Sequence, residues 1–149
     1  MRVAIAADHA GFELKNELVG LLKASGHEPM DLGTHSAEPV DYPDQSAAVA
    51  RCVLDGTADR GIVVCGSGAG AGIAANKFEG ILAAPVYDTY TARQCVEHDD
   101  VNVLALGARV TGVELAREIV IAFLGARFSG EERHARRLSK LRALDRRGH

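Results

Sequence analysis

Gly61-Ile62-Val63-Val64-Cys65, followed at once by Gly66-Ser67-Gly68-Ala69-Gly70-Ala71-Gly72, is the stretch on which the fold turns. Five uncharged residues in a row read as a strand buried on both faces. Four glycines in the next seven residues end it in a turn, and Ile73-Ala74-Ala75-Asn76-Lys77 reads as a short helix. A buried strand that passes through a glycine turn into a helix is one unit of a parallel α/β sheet.

The same alternation continues in both directions. Upstream, residues 3–7 form an apolar strand that ends at Asp8-His9-Ala10-Gly11. Phe12, Leu14, Leu18, Leu21 and Leu22 then recur at helical spacing until Ser25-Gly26 stops them. Residues 28–32 are a weaker strand and 33–43 a polar loop. Asp44 caps a helix whose stripe is Ala47, Ala48, Val49, Cys52, Val53 and Leu54. Downstream, strands are expected over 81–86 and 101–106 and helices over 89–97 and 113–124, the latter with Leu115, Ile119, Val120 and Phe123 inward. A basic helix over 131–146 carries Leu138, Leu141 and Leu144. The expected fold is α/β: one domain over 1–149, with five parallel strands covered by helices on both faces and a basic C-terminal helix. In such sheets ligands bind beyond the carboxyl ends of the strands. That edge would hold Asp8-His9, Cys65 with its glycine loop, Tyr87-Asp88 and Gly107-Ala108-Arg109.

Composition narrows the class. The chain has 149 residues, 47% hydrophobic and 25% charged, which is ordinary globular usage. No apolar run approaches the roughly 20 residues that cross a bilayer, and the N-terminal apolar run meets Asp8 too soon for a signal peptide. A soluble cytoplasmic protein with no membrane partner is expected. Three cysteines without CxxC spacing suit neither a disulfide scaffold nor a zinc site. The net charge of −3 hides an asymmetry: residues 127–149 hold eight Lys/Arg against three Asp/Glu. A basic end on an acidic body suits nucleic acid, a small anion or another subunit. With no Trp and only 5% aromatics, base-stacking platforms are scarce, and no nucleic-acid partner is expected.

The glycine run is the strongest chemical signal. Backbone N–H groups exposed at a helix start make an anion site. Gly66, Gly68 and Ala71 formally fit a dinucleotide fingerprint, with Asp88 at the distance of a ribose-binding acid. Three points oppose that reading: the motif follows the third strand, no second domain carries a substrate, and a cysteine stands directly before it. Cys65 there is either a small packed hydrophobe or a thiolate favoured by helix N–H groups, able to act as base or nucleophile. Cys52 and Cys95 fall inside helices and are assigned to packing. His98-Asp99-Asp100 precedes the fifth strand, at the sheet edge opposite Cys65, so either its helix projects or His98 serves a neighbouring subunit. Arg133 and Arg137 share a helix face at i, i+4 and can fork onto one phosphate. Arg136, Lys140, Arg142, Arg146 and Arg147 read as a solvated basic face.

Together these residues resemble the ribose-5-phosphate isomerase type B family, which also contains galactose-6-phosphate isomerase subunits. The marks are Asp8-His9-Ala10-Gly11, Asp41-Tyr42-Pro43, Cys65-Gly66-Ser67-Gly68, Ile73-Ala74-Ala75-Asn76-Lys77, Asn102-Val103-Leu104-Ala105-Leu106-Gly107-Ala108-Arg109, and Arg133 with Arg137. Their order and spacing cover nearly the whole chain. The resemblance implies a Rossmann-like three-layer sandwich, no cofactor, no metal, and a homodimer or homotetramer with active sites between subunits. It also implies aldose–ketose interconversion of a sugar phosphate, ribose 5-phosphate to ribulose 5-phosphate, through a cis-enediolate.

Carried onto this sequence, Cys65 is the base, and Ser67 with the N–H groups of Gly68, Ala69 and Gly70, next to Gly66, stabilises the enediolate. His98 opens the furanose ring, and Asp8 and Asp99 contact hydroxyls. His9, Arg109, Arg133 and Arg137 hold phosphate, some of them across the dimer. Two departures bear on substrate choice. Where some family members place a glutamate base, this chain has Ala71, leaving the cysteine route. Asp99 stands where Asn is frequent, adding negative charge and removing a donor. Allose 6-phosphate, galactose 6-phosphate or a tetrose phosphate are therefore alternative substrates. A non-catalytic sugar-phosphate binder, a nucleotide-binding protein and a nucleic-acid binder are the competing classes.

Overall fold

The run that ends in Cys65 is the middle strand of a five-stranded parallel sheet of order β2-β1-β3-β5-β4. The computed structural model describes residues 1–145. In chain order the elements are β1 (Arg2–Ala7), α1 (Phe12–Ala24), β2 (Glu28–Asp31), α2 (Tyr42–Leu54), β3 (Arg60–Cys65), α3 (Ala69–Ala75), β4 (Ala83–Pro85), α4 (Thr89–Asp99), β5 (Val103–Gly107), α5 (Val113–Gly125) and α6 (Glu132–Asp145). The expected α/β sandwich is what forms. No helix of the described residues is long and apolar enough to cross a membrane.

Side chains alternate across a pleated strand, so each strand feeds two layers. Ile5, Ile62, Val64, Leu104 and Leu106 meet α1, α4 and α5, including Leu18, Leu22, Ile119 and Phe123. Phe123 is fully buried, worth about 1.5–3 kcal/mol. The opposite face presents smaller residues, Ala4, Ala6, Val63, Val103 and Ala105, to α2 and α3. Small strand residues let the short α3 lie close to the sheet. A Cβ on Gly72 would meet the Pro85 ring at 3.4 Å and Ala105 Cβ at 3.6 Å.

Several boundaries differ from the sequence expectation. α2 starts at Tyr42 with Asp41 at its N-cap, three residues before the expected Asp44 cap; Pro43 is tolerated because first-turn N–H groups have no helical partner. α3 starts at Ala69 instead of Ile73 and takes in two glycines. β4 is shorter than residues 81–86, β5 is shifted to end at Gly107, and α4 continues to Asp99. On α5, Leu115 is 40% exposed, and Ala116 occupies the inward position instead. Leu138 packs inward as expected, but Leu141 and Leu144 face outward. Arg136, Lys140 and Arg142 are exposed as expected, although Arg142 also pairs with Asp100 at 2.7 Å. Arg146 and Arg147 lie outside the described residues.

β1 and β3 are neighbours, yet their following helices go to opposite layers, α1 to one and α3 to the other. The loops leaving the two strands therefore diverge and open a crevice at the switch point of the sheet, where α/β proteins bind ligands.

Candidate active site

Asp8 leaves β1 at this crevice. Its N–H donates to Val64 O of β3 at 3.1 Å, and its buried carboxylate accepts the Gly11 N–H at 3.1 Å, which closes the turn into α1. His9 is exposed, with Nδ1 within 3.3 Å of both the N and O of Val40, so the loop before α2 holds one side of its ring. On β3, Cys65 is 4% exposed and packs with Ala71 and its neighbours. Its Sγ nonetheless accepts the Gly68 N–H at 3.1 Å. That contact needs glycine at 68. Its φ of +84° is a region side chains rarely enter, and a Cβ would lie 3.1 Å from the Leu106 carbonyl carbon.

Ser67 is exposed at the tip of the turn, and its Oγ accepts the Ala69 N–H at 3.3 Å. The Tyr87 hydroxyl donates to Ser67 O at 2.7 Å and fixes the loop from β4's side. Arg109 follows β5. Its N–H donates to Gly66 O at 2.9 Å, and its guanidinium lies against Gly66. Asp8, His9, Cys65, Gly66, Ser67, Gly68, Ala69, Gly70 and Arg109 thus share one sheet edge.

Asp88 is occupied elsewhere. It caps α4 by accepting the Thr91 N–H at 2.7 Å, a bond that holds its carboxyl below the ordinary carboxylate range. A ribose-binding role for it is not supported. Among the described residues, no three His, Cys, Asp or Glu side chains gather as metal ligands would.

The remaining predicted residues form a second cluster. His98 and Asp99 end α4, at the opening of β5, and Gly107 at the other end of β5 pairs with Cys65. Four strand residues separate the two edges, about 13 Å of strand. His98 Nδ1 is 2.9 Å from Gln94 Nε2, and its ring stacks on His134 with centroids 4.0 Å apart at 26°. His134, on α6, is 2% exposed. Its Nδ1 is 2.6 Å from Ser129 Oγ, and its Nε2 accepts from Arg133 Nε at 3.3 Å. Burial, with His98 and Arg133 alongside, lowers its proton affinity. Arg133 also pairs with Glu131 at 3.1 Å, and Arg137 is exposed one turn on.

A family model described as Ribose/Galactose Isomerase matches residues 3–141. The chain belongs to that family. It is 46% identical to ribose-5-phosphate isomerase B of Escherichia coli over 98% of this chain and 97% of that one. It is 42% identical to D-erythrulose-4-phosphate isomerase of Pectobacterium atrosepticum, over 87% and 86% of the two chains. The structure of Clostridium thermocellum ribose-5-phosphate isomerase B superposes with a TM-score of 0.95 at 49% identity, covering 97% of each chain.

Within this Ribose/Galactose Isomerase chain, the resemblance selected two groups of residues that a single copy of the chain keeps apart. The first group gathers at the crevice. His98, Asp99, Arg133 and Arg137 belong to the α4–α6 end. Sequence reasoning gave no role to Tyr42, whose ring covers Gly70 so closely that a Cβ there would sit 2.7 Å from it. It also placed Tyr87 at the edge without a partner. His134 was missed, although the i, i+4 pair His134 and Leu138 on a polar helix is the signature of a buried stripe.

Proposed function

We propose that this chain interconverts ribose 5-phosphate and ribulose 5-phosphate through a cis-enediolate, with Cys65 as base. Proton abstraction α to a carbonyl needs a positioned base and donors for the oxyanion that develops. The turn after β3 offers both. The Cys65 thiolate takes the proton from C2 of the open-chain aldose, and the C1 oxygen gains negative charge facing Ser67 and the N–H groups of Gly68, Ala69 and Gly70. The Cys65 thiol then delivers a proton to C1, while the C2 hydroxyl proton passes to O1, giving the ketose; exchange of the proton held on sulfur with solvent lets deuterium enter at C1. The observation that carries this reading is the 3.1 Å contact between the Cys65 sulfur and the Gly68 amide.

His9 and Arg109 hold phosphate at the crevice, and Asp8 contacts a hydroxyl. His98 opens the furanose ring, Asp99 contacts a hydroxyl, and Arg133 and Arg137 join His9 and Arg109 in holding the phosphate. Since Cys65 and His98 lie at opposite edges of one sheet, the working site takes His98 and its neighbours from a second copy in a homodimer or homotetramer. The whole chain then acts as one domain, in the cytoplasm, with no cofactor, nucleic acid or membrane.

The relative named for D-erythrulose 4-phosphate, at 42% identity, supports a second substrate class on the same machinery. Asp99 is the residue that would shift such a preference. The test is an isomerase assay over four-, five- and six-carbon aldose phosphates, with C65S alongside. Turnover of ribose 5-phosphate that C65S abolishes is expected. Failure on every sugar, or native rates with serine at 65, would overturn the proposal.

A further inference from the structure

We propose that His134 is the positioning residue for His98, its buried ring serving as a fixed plate that sets the plane of the ring-opening imidazole. This rests on the isomerase reading above and extends it to a residue that does not touch substrate.

The plate is held at both ends. Arg133 Nε can only donate, so Nε2 of His134 accepts, which leaves a neutral ring with its proton on Nδ1, donated to Ser129 Oγ. Ser129 Oγ also accepts the Glu131 N–H at 3.2 Å, and the Ser129 N–H donates to Glu97 O at 2.9 Å, next to His98 itself. The segment that carries the plate is therefore tied to the helix that carries His98. Burial, with His98 and Arg133 alongside, lowers the ring's proton affinity, in keeping with the neutral tautomer that these hydrogen bonds select.

His98 sits at the end of α4, half-exposed, where an imidazole would otherwise turn freely about χ2. Its ring face rests on His134 and its Nδ1 meets Gln94. Among the described residues its Nε2 has no partner, so that atom is left for the substrate. Moving a proton at a sugar oxygen requires about 2.6–3.2 Å and correct alignment, which one hydrogen bond on a rotating ring does not define.

The substrates allow ring opening to be separated from isomerisation. Ribose 5-phosphate is a furanose. Ribulose 5-phosphate carries its phosphate on O5, the oxygen it would need to close a five-membered ring, so it is acyclic. Two rates are measured for wild type, H134L and H134F: kcat/KM on ribose 5-phosphate, and uptake of deuterium from heavy water at C1 of ribulose 5-phosphate. Leucine fills the space without a flat face, whereas phenylalanine restores the face. H134L should lose about tenfold or more on the furanose while deuterium uptake stays within about threefold of wild type. H134F should recover most of the furanose rate. Equal loss of both reactions, no loss in either, or H134F as impaired as H134L would overturn the inference. A wild-type protein inactive in both assays would instead count against the isomerase reading itself.

Discussion

The backbone N–H of Gly68 points at the sulfur of Cys65 across 3.1 Å, so the residue that turns the chain also faces the proposed base. The turn exists because Gly68 holds φ at +84° against the backbone of β5. One residue therefore serves fold and chemistry together. G68A places a Cβ 3.1 Å from the Leu106 carbonyl carbon and forces a side chain into the left-handed region, at about 1–3 kcal/mol. Stability should fall by that order in urea melts. The isomerase rate should fall further, by about tenfold or more, since a shifted turn moves both the sulfur and the neighbouring N–H groups off their positions. A G68A enzyme with native kcat would show that the left-handed geometry of the turn at 68 is not needed for catalysis.

The strand that ends in Cys65 was legible from five uncharged residues before four glycines, and the nearness of its thiol to the N–H groups of the turn was legible because a single turn spans them; that Gly68 is the residue in contact came only with the structure. What failed was whatever depends on a distant partner. Glycine is a poor helix former, so Gly70 and Gly72 read as loop. Their helix is kept by Tyr42 and Pro85, which lie against it from other elements. Leu115 read as inward because leucine outweighs its neighbour Ala116 in any apolar pattern, whereas the sheet selects by direction. His134 shares a helix face with Leu138, but a histidine does not count as apolar in a stripe, and what buries it are partners outside its helix, Ser129 and the His98 ring. The split between the two groups of site residues was visible as an edge problem at His98, since strand polarity alone puts α4's end opposite Cys65.

Lys15 and Asp31 make an asymmetric pair. The Lys15 ammonium is fully buried and donates to both Asp31 oxygens, at 2.7 and 2.9 Å, and to Thr34 O at 2.7 Å. Asp31 keeps a side-chain exposure of 30%. D31A strands a buried charge and should cost about 3 kcal/mol or more. K15M leaves only a partly hydrated carboxylate and a carbonyl, about 1–3 kcal/mol. Denaturant melts in which K15M proved the worse of the two would refute this ordering.

The same pair sets an acid limb. Burial pushes the Asp31 carboxyl up, but the Lys15 ammonium and the Gly33 N–H outweigh it and hold the group below the ordinary range. A depressed carboxyl contributes stability that is complete above its unfolded value of about 3.9 and lost as pH falls through the folded value. Wild type should lose Tm below about pH 4 more steeply than K15M, which lacks the cation that depresses the carboxyl. Parallel Tm–pH curves would remove the pair from the acid response.

Cys65 is one of three thiols, and the other two should be dispensable. Burial, with Asp99 nearby, pushes the Cys95 thiol up to about 11, and burial followed by Asp55 raises Cys52. Both therefore stay protonated at neutral pH and sit in helices as packing residues. The C52A/C95A double variant should keep kcat within about threefold and lose about 1–2 kcal/mol of stability from the small cavity at Cys95. A large drop in kcat at full folding would move the thiol chemistry away from Cys65.

If one site draws Cys65 from one subunit and His98 from the other, two dead enzymes should restore each other. C65A and H98Q homo-oligomers each lack one member at every site. In a mixed dimer with twofold symmetry, one site combines both defects and the other combines the intact Cys65 of one chain with the intact His98 of its partner. Random pairing makes half the dimers mixed, with one working site of two, so about a quarter of wild-type activity should return after co-refolding equal amounts. The recovered activity should show an unchanged KM, because the restored site is complete. No recovery in a mixture shown by mass spectrometry to contain hetero-dimers would place both residues in the same chain's site, or remove one from catalysis.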